Sequence, residues 1–151
     1  MNLIIDIGNS SVKLAVFEKQ TLTFLQREKA NLIEHRVFEM LNRFPKIKQI
    51  FVASVAAFDR SQFSKIFSSY NLFFLDSKSN FPFINLYQTP ETLGLDRLAL
   101  VAAAVCKYSN QNVLIIDAGT CITYDFVDTK SNYHGGAISP GIEMRYKALH
   151  E

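Results

Sequence analysis

Leu3-Ile4-Ile5-Asp6-Ile7-Gly8-Asn9 returns 111 residues later as Leu114-Ile115-Ile116-Asp117-Ala118-Gly119-Thr120. In each copy, three consecutive aliphatic residues read as a strand buried on both faces, and a Gly-containing polar turn follows. A carboxylate at the end of such a strand is costly unless a cation or N–H groups meet it. Gly8 lets the backbone approach a ligand, and Asn9 and Ser10 offer donors for a phosphate oxygen. Val12 to Phe17 and Ile122 to Val127 then return as second strands, so each Asp sits at a hairpin tip. One copy alone reads best as a plain tight turn; two copies with matching strands favour a shared role. A period this long implies two lobes of similar fold rather than a solenoid. Two Asp-bearing tips facing each other across a cleft suit a polyphosphate with its metal ion. Mg²⁺ keeps several waters, so few carboxylates are needed.

The offset predicts a first lobe over residues 1–111, including a central helix, and the start of a homologous second lobe over 112–151. A complete second lobe would run past about residue 200, so the chain reads as truncated in that lobe. Its 151 residues still suffice for one good core. Net charge is +2 with no basic run, so nucleic acid is not an expected partner. The longest uncharged apolar run, Leu98 to Cys106, is too short to span a bilayer, and no membrane association is expected. A strand directly after Met1-Asn2 predicts no signal peptide. Cys106 and Cys121 lack CxxC or ligand spacing and read as core thiols of a reducing compartment. Together these features predict a cytoplasmic protein.

Along the chain, residues 2–6, 11–17 and 21–27 read as three strands, with a turn at Lys19-Gln20. Asn31 and Glu34 form a capping-box pattern, and Ile33, Val37, Met40, Leu41 and Phe44 share one helical face that Pro45 ends. Residues 49–54 read as a buried strand. Asp59 and Gln62 cap a helix whose apolar face is Phe63, Ile66, Phe67 and Tyr70, and 72–75 is a fifth strand. This order is an α/β layer architecture. Residues 76–83 read as a polar surface connection. From Leu98 to Val105 the chain is aliphatic without a polar face, which predicts a helix buried all round, placed between the lobes. Asp96 and Arg97 fall in its first turn, where the macrodipole favours a carboxylate. Arg97 has the planar fork to hold a substrate carboxylate. Gly94 permits close approach, and Tyr87 and Thr89 are polar neighbours. Gly135-Gly136 and Pro140-Gly141 suit either a backbone near a ligand or a plain turn before a helix with apolar face Ile142, Tyr146 and Leu149. The three histidines have no metal-binding spacing.

Four blocks carry a resemblance along essentially the whole chain: Asp6-Ile7-Gly8-Asn9-Ser10; Gly94-Leu95-Asp96-Arg97 with Tyr87 and Pro90 upstream; Asp117-Ala118-Gly119-Thr120; and Gly135-Gly136 through Pro140-Gly141. In this order and spacing the chain resembles type III pantothenate kinase, the bacterial enzyme of coenzyme A synthesis. The resemblance implies a two-lobed α/β fold of the ribonuclease H-like, actin-like ATPase superfamily, with the second lobe incomplete here. It implies transfer of the ATP γ-phosphoryl group to the primary hydroxyl of pantothenate. Asp6, Gly8, Asn9, Ser10, Lys13, Gly119 and Thr120 would bind ATP. Asp6 would also hold Mg²⁺ through water, and Asp117 a monovalent cation, K⁺ or NH₄⁺. Asp96 would be the general base; Tyr87, Gly94, Leu95, Asp96 and Arg97 would bind pantothenate. Family members are dimers, so a homodimer is implied. The competing expectations are another small-molecule kinase or ATPase of the superfamily, and a non-catalytic regulatory relative.

Overall fold

The computed structural model describes residues 1–8, 11–29 and 33–150. The chain divides into two compact units, Met1–Asp76 and Ser77–Glu151. The helix of residues 95–107 packs on strands of the second unit.

The first unit begins with β1 (Asn2–Ile7), β2 (Val12–Glu18) and β3 (Thr21–Glu28). After them come α1 (Ile33–Arg43), β4 (Gln49–Ser54), α2 (Arg60–Ile66) and β5 (Asn71–Phe74). Its sheet has the order β3-β2-β1-β4-β5. The three N-terminal strands form an antiparallel meander, and β4 and β5 continue in parallel from β1. Side chains alternate across a strand, so Leu3, Ile5 and Ile7 share one face with their register partners Val16, Leu14 and Val12. That face is fully buried beneath Ile33, Val37, Met40 and Leu41 of α1 and Phe63 and Phe67. The expectation that β1 is buried on both faces is corrected: Asn2, Ile4 and Asp6 lie on the other face and are half-buried. Asp6 therefore ends a strand without entering the core.

The local signals of this unit work as read. Lys19 takes the positive φ of 56° that its turn requires. Asp59 caps α2, its carboxylate accepting from the Gln62 N–H at 2.9 Å. The Asn31 cap expected for α1 lies outside the described residues. In α2 the expected apolar face is uneven: Phe63 is fully buried, while Ile66 is 37% exposed.

The second unit contains β6 (Ile84–Asn85), a single 3-10 turn at Pro90–Thr92, and α3 (Leu95–Lys107). Then follow β7 (Val113–Ala118), β8 (Cys121–Val127), β9 (Asn132–Pro140) and α4 (Ile142–His150). Its sheet has the order β6-β9-β8-β7, with β9-β8-β7 an antiparallel meander equivalent to β3-β2-β1. Leu93, Leu98, Val101, Val127 and Tyr133 form its core, and Phe81, Phe83 and Ile115 pack against them. Residues 76–83 are thus only partly a polar connection. Two strands had no sequence signal. β6 is two residues long, and β9 carries two glycines and a proline that argue against a strand. Gly136 belongs in β9 for a steric reason, since a Cβ there would collide with the Tyr124 carbonyl of β8.

Three further expectations are corrected. α3 buries one stripe, Arg97, Leu98, Val101 and Ala104, while Ala99, Ala103 and Cys106 are exposed. Alanine is neutral enough to sit on either side, so an all-apolar run did not report which face is covered. Cys106 and Cys121 are both exposed rather than core thiols. The α4 face of Ile142, Tyr146 and Leu149 forms as a helix but is exposed.

The α2 contrast gives a direct test. Phe63→Ala should destabilise the first unit by about 3–5 kcal/mol in urea unfolding, and Ile66→Ala by under about 1 kcal/mol. Equal losses at the two positions would contradict this packing.

Candidate functional site

In the first unit, Asp6 pairs across the hairpin with Lys13, whose Nζ donates to Asp6 Oδ2 at 3.2 Å. The side chains are 39% and 55% exposed. An ion pair this open is worth under about 1 kcal/mol, so either group can turn to a ligand at small cost. The Gly8 N–H donates to the Ser11 carbonyl at 3.0 Å, and Ser11 Oγ accepts from Arg27 Nε at 2.9 Å. A Cβ on Gly8 would lie 3.2 Å from that same carbonyl, which is why the tip wants glycine. Asn9 and Ser10, the expected phosphate donors, lie outside the described residues.

The second unit repeats the hairpin. Asp117 ends β7 exposed, opposite Thr123 of β8. Among the described residues, Thr123 Oγ1 is a buried oxygen without a hydrogen-bond partner. The Gly119 N–H donates to the Cys121 carbonyl at 2.9 Å, closing the tip. Gly141 donates from its N–H to the Thr120 carbonyl at 2.9 Å, and a Cβ there would collide with the carbonyls of Gly119 and Thr120. The Pro140-Gly141 motif therefore packs against the hairpin tip itself.

The largest group of expected residues meets at the start of α3. Gly94 is the N-cap residue, and its carbonyl accepts from the Leu98 N–H at 3.2 Å. Asp96 is exposed, and its Oδ1 accepts from the Arg97 backbone N–H at 2.9 Å. A Cβ at position 94 would meet that carboxylate, which would have to turn away from it. Leu95 is half-buried beside the core.

Arg97 is where the structure departs from the reading of an open fork. It is only 5% exposed, and Asp125 of β8 is fully buried beside it. Nε donates to Asp125 Oδ1 and Oδ2 at 3.0 and 3.2 Å, and Nη2 donates to Oδ1 at 2.5 Å. The Tyr133 hydroxyl donates to the same Oδ1 at 2.6 Å. Burial pulls the Arg97 pKa down, but the hydrogen bond and charge of Asp125 outweigh it and the guanidinium ends above its ordinary value. Burial, reinforced by the neighbouring carboxylate, pushes the Tyr133 phenol well above its usual range. The Tyr87 ring lies 5.7 Å beneath the guanidinium and stacks on Tyr133 at 6.4 Å. Gly135 makes room for it, with φ of 87° and no Cβ to strike the ring.

Asp125 and Tyr133 escaped sequence reasoning, though a signal existed. Arg97, Val101 and Ala104 are spaced i, i+4, i+7, which puts Arg97 on the buried stripe and demands a buried acid. Asp125 shares inward parity with Val127.

A second polar cluster closes the turn from β8 to β9. Asp128 Oδ1 accepts from the N–H groups of Lys130 and Asn132, and Oδ2 accepts from Asn132 Nδ2. His134 Nε2 lies 3.0 Å from Oδ2. The His134 contact, then the Asn132 bonds, hold the Asp128 carboxyl far below the usual range.

Each sheet of this molecule carries an antiparallel hairpin with an aspartate on its first strand. The fold is of the actin-like ATPase and sugar kinase type, as solved structures with that fold show. A Sinorhizobium meliloti protein described as a 2-dehydro-3-deoxygalactonokinase aligns with TM-score 0.52 at 11% identity, over 99% of this chain and 56% of its own. A Campylobacter jejuni protein described as a Baf family transcriptional activator aligns with TM-score 0.55 at 26% identity, over 97% and 58%. The family model for type III pantothenate kinase matches residues 2–151, and the chain belongs to that family. It is 46% identical over 151 residues to the type III pantothenate kinase of Flavobacterium johnsoniae. The match covers 99% of this chain and 62% of the relative, so the chain spans under two thirds of that relative's length.

The Asp128 turn carries a pH dependence. Its carboxyl is depressed in the folded state, so its contribution is present above its ordinary value of 3.8 and is lost as pH falls through the folded value. Asp128→Asn should flatten the acid limb of the second unit's stability against pH, measured by thermal unfolding from neutral pH downward. An unchanged acid limb would show that the turn does not carry this linkage.

Proposed function

We propose that the protein is an ATP-dependent pantothenate kinase, forming 4'-phosphopantothenate and ADP in the first step of coenzyme A synthesis. The observation that carries this reading is the seat of Asp96. An exposed carboxylate stands on the first turn of α3, with Gly94 behind it and Arg97, buried over the Tyr87 ring, next in the chain, in a chain of this family.

In this reading Asp96 takes the proton of pantothenate's primary hydroxyl. That oxygen bonds to the γ-phosphorus as the bond to the ADP oxygen breaks. Phosphoryl transfer asks the protein mainly for positioning and charge stabilisation, which a lone base on a fixed helix turn can supply. Tyr87, Gly94, Leu95 and Arg97 hold pantothenate. Asp6, Gly8, Asn9, Ser10 and Lys13 bind phosphate in the first unit, and Gly119 and Thr120 in the second. The cheapness of the Asp6–Lys13 pair supports this, because Lys13 gives up little on moving to a phosphate oxygen.

The donor sets fit the ions the family implies. Asp6 offers one exposed hard oxygen group, which suits a Mg²⁺ ion that keeps most of its waters. Asp117, with the Thr123 hydroxyl opposite, which has no partner among the described residues, offers hard oxygens for K⁺ or NH₄⁺. Bound Mg²⁺ supplies neutralisation of phosphate charge. We further read the protein as a cytoplasmic homodimer, with residues 1–111 as a first lobe and 112–151 as the start of a homologous second lobe. The matching meanders β3-β2-β1 and β9-β8-β7 support that last reading.

The test is phosphorylation of pantothenate, followed by mass spectrometry beside a panel of other hydroxylated acids. It should use the protein extended to the length of its relatives as well as the 151-residue chain. Phosphorylation of another acceptor in preference to pantothenate would overturn the reading. In the active protein, Asp96→Asn should lower kcat by about 10²–10⁴-fold, the usual worth of a general base, with a smaller change in pantothenate binding. Arg97→Lys should instead raise KM for pantothenate, because lysine keeps charge but loses the fork.

A further inference from the structure

We propose that Asp125 is a positioning residue of the acceptor site, gripping Arg97 by its Nε–Nη2 edge so that the Nη1 side of the fork is held in one orientation for the acceptor's carboxylate. The inference rests on the pantothenate kinase reading above and adds to it a residue outside the four motif blocks.

The geometry carries it. A guanidinium has five N–H donors in a rigid plane. Asp125 takes one edge of that plane, through Nε and Nη2. Nη1 takes no part in that grip; because the plane is rigid, fixing one edge aims the other, and a hydrogen bond with the Tyr87 side chain helps to hold that aim. Asp125 is itself fixed. Its Oδ1 takes the Tyr133 hydroxyl at 2.6 Å, and it lies fully buried in β8 between two paired strands. The plane is backed by the Tyr87 ring, which stands against Tyr133 and over the bare Cα of Gly135. Asp125, Tyr133, Tyr87 and Gly135 thus form one nest around a single arginine.

The chemistry explains the expense of such a nest. A buried ion pair adds little net stability over apolar packing, because desolvation offsets the attraction. What it does supply is orientation. An arginine on an open helix face would sample many rotamers, and ordering it would weaken acceptor binding. Asp125 places that ordering cost in folding instead. The carboxylate also balances the buried charge, so Arg97 can remain in the core stripe of α3 one residue from Asp96.

The experiment is steady-state kinetics on the protein at its relatives' length, varying pantothenate and ATP separately. Asp125→Asn keeps shape but loses the charge and one of the accepting oxygens. KM for pantothenate should rise about tenfold, the worth of one weakened charge-assisted bond, while KM for ATP and kcat stay within about threefold. Tyr133→Phe keeps the ion pair but frees Oδ1 from its anchor, and should shift KM for pantothenate in the same direction by about threefold. If Asp125→Asn does not fold, the Tyr133→Phe result decides. In the 151-residue chain the Arg97 Nε–H, hydrogen-bonded to Asp125, should exchange faster in Asp125→Asn than in the wild type. A wild-type KM for pantothenate in the variants, or an equal loss across kcat and both KM values, would overturn the proposal. Wild-type protein that phosphorylates no pantothenate would overturn the underlying reading instead, before any variant is compared.

Discussion

Two-residue alternation along an antiparallel hairpin is the constraint on which both halves of this molecule depend. In β1 it sends Leu3, Ile5 and Ile7 inward and leaves Asp6 on the opposite face. The equivalent strand β7 keeps the pattern but is covered from the other side. Ile115 packs against the second core, while Leu114 and Ile116, which align with Leu3 and Ile5, are exposed. In both units an aspartate remains within reach of solvent near the strand end. A catalytic scaffold needs that combination of a rigid strand and an unburied carboxylate. Alternation provides it at Asp6; Asp117 shares the face of Ile115 and is exposed because it lies near the end of its strand.

The start of α3 solves a different problem, placing two charges of opposite sign side by side with different environments. Asp96 points out and is steadied by a backbone N–H; Arg97 points in and is neutralised by Asp125. One helical step, about 100° of rotation, separates them. Neighbouring residues with opposed burial let one group stay reactive while the other stays still.

The sequence made most of the first unit legible. Its strands alternate cleanly, and its α2 cap and turns use side chains that act locally, so a linear reading recovers them. It misled where a residue's role is set from a distance. Gly136 and Gly141 looked like ligand-facing or turn glycines, but each is bare because a carbonyl of another segment occupies the space. The alanine-rich run of α3 could not say which side is covered. Arg97 looked like an open fork because its partner lies 28 residues away, in a strand whose tyrosine and phenylalanine neighbours conceal an inward-facing acid. Within the candidate site, residue types in motifs were readable, and the supporting acid was not. Motifs record what faces a ligand; supports are recorded only in pairs of positions that the fold brings together.

The uncovered side of β7 has a consequence for handling the molecule. Among the described residues β7 is the edge of its sheet, and Leu114 and Ile116 stand exposed on it. An edge that offers free backbone groups and aliphatic side chains together is a template for strand addition by another chain. Val113-Leu114-Ile115-Ile116 carries no charge until Asp117, so nothing within the segment repels a second copy of itself. Strand pairing with a second chain is the association that such an edge favours. Asp117, the group read here as a cation ligand, is also the gatekeeper charge that ends the sticky segment.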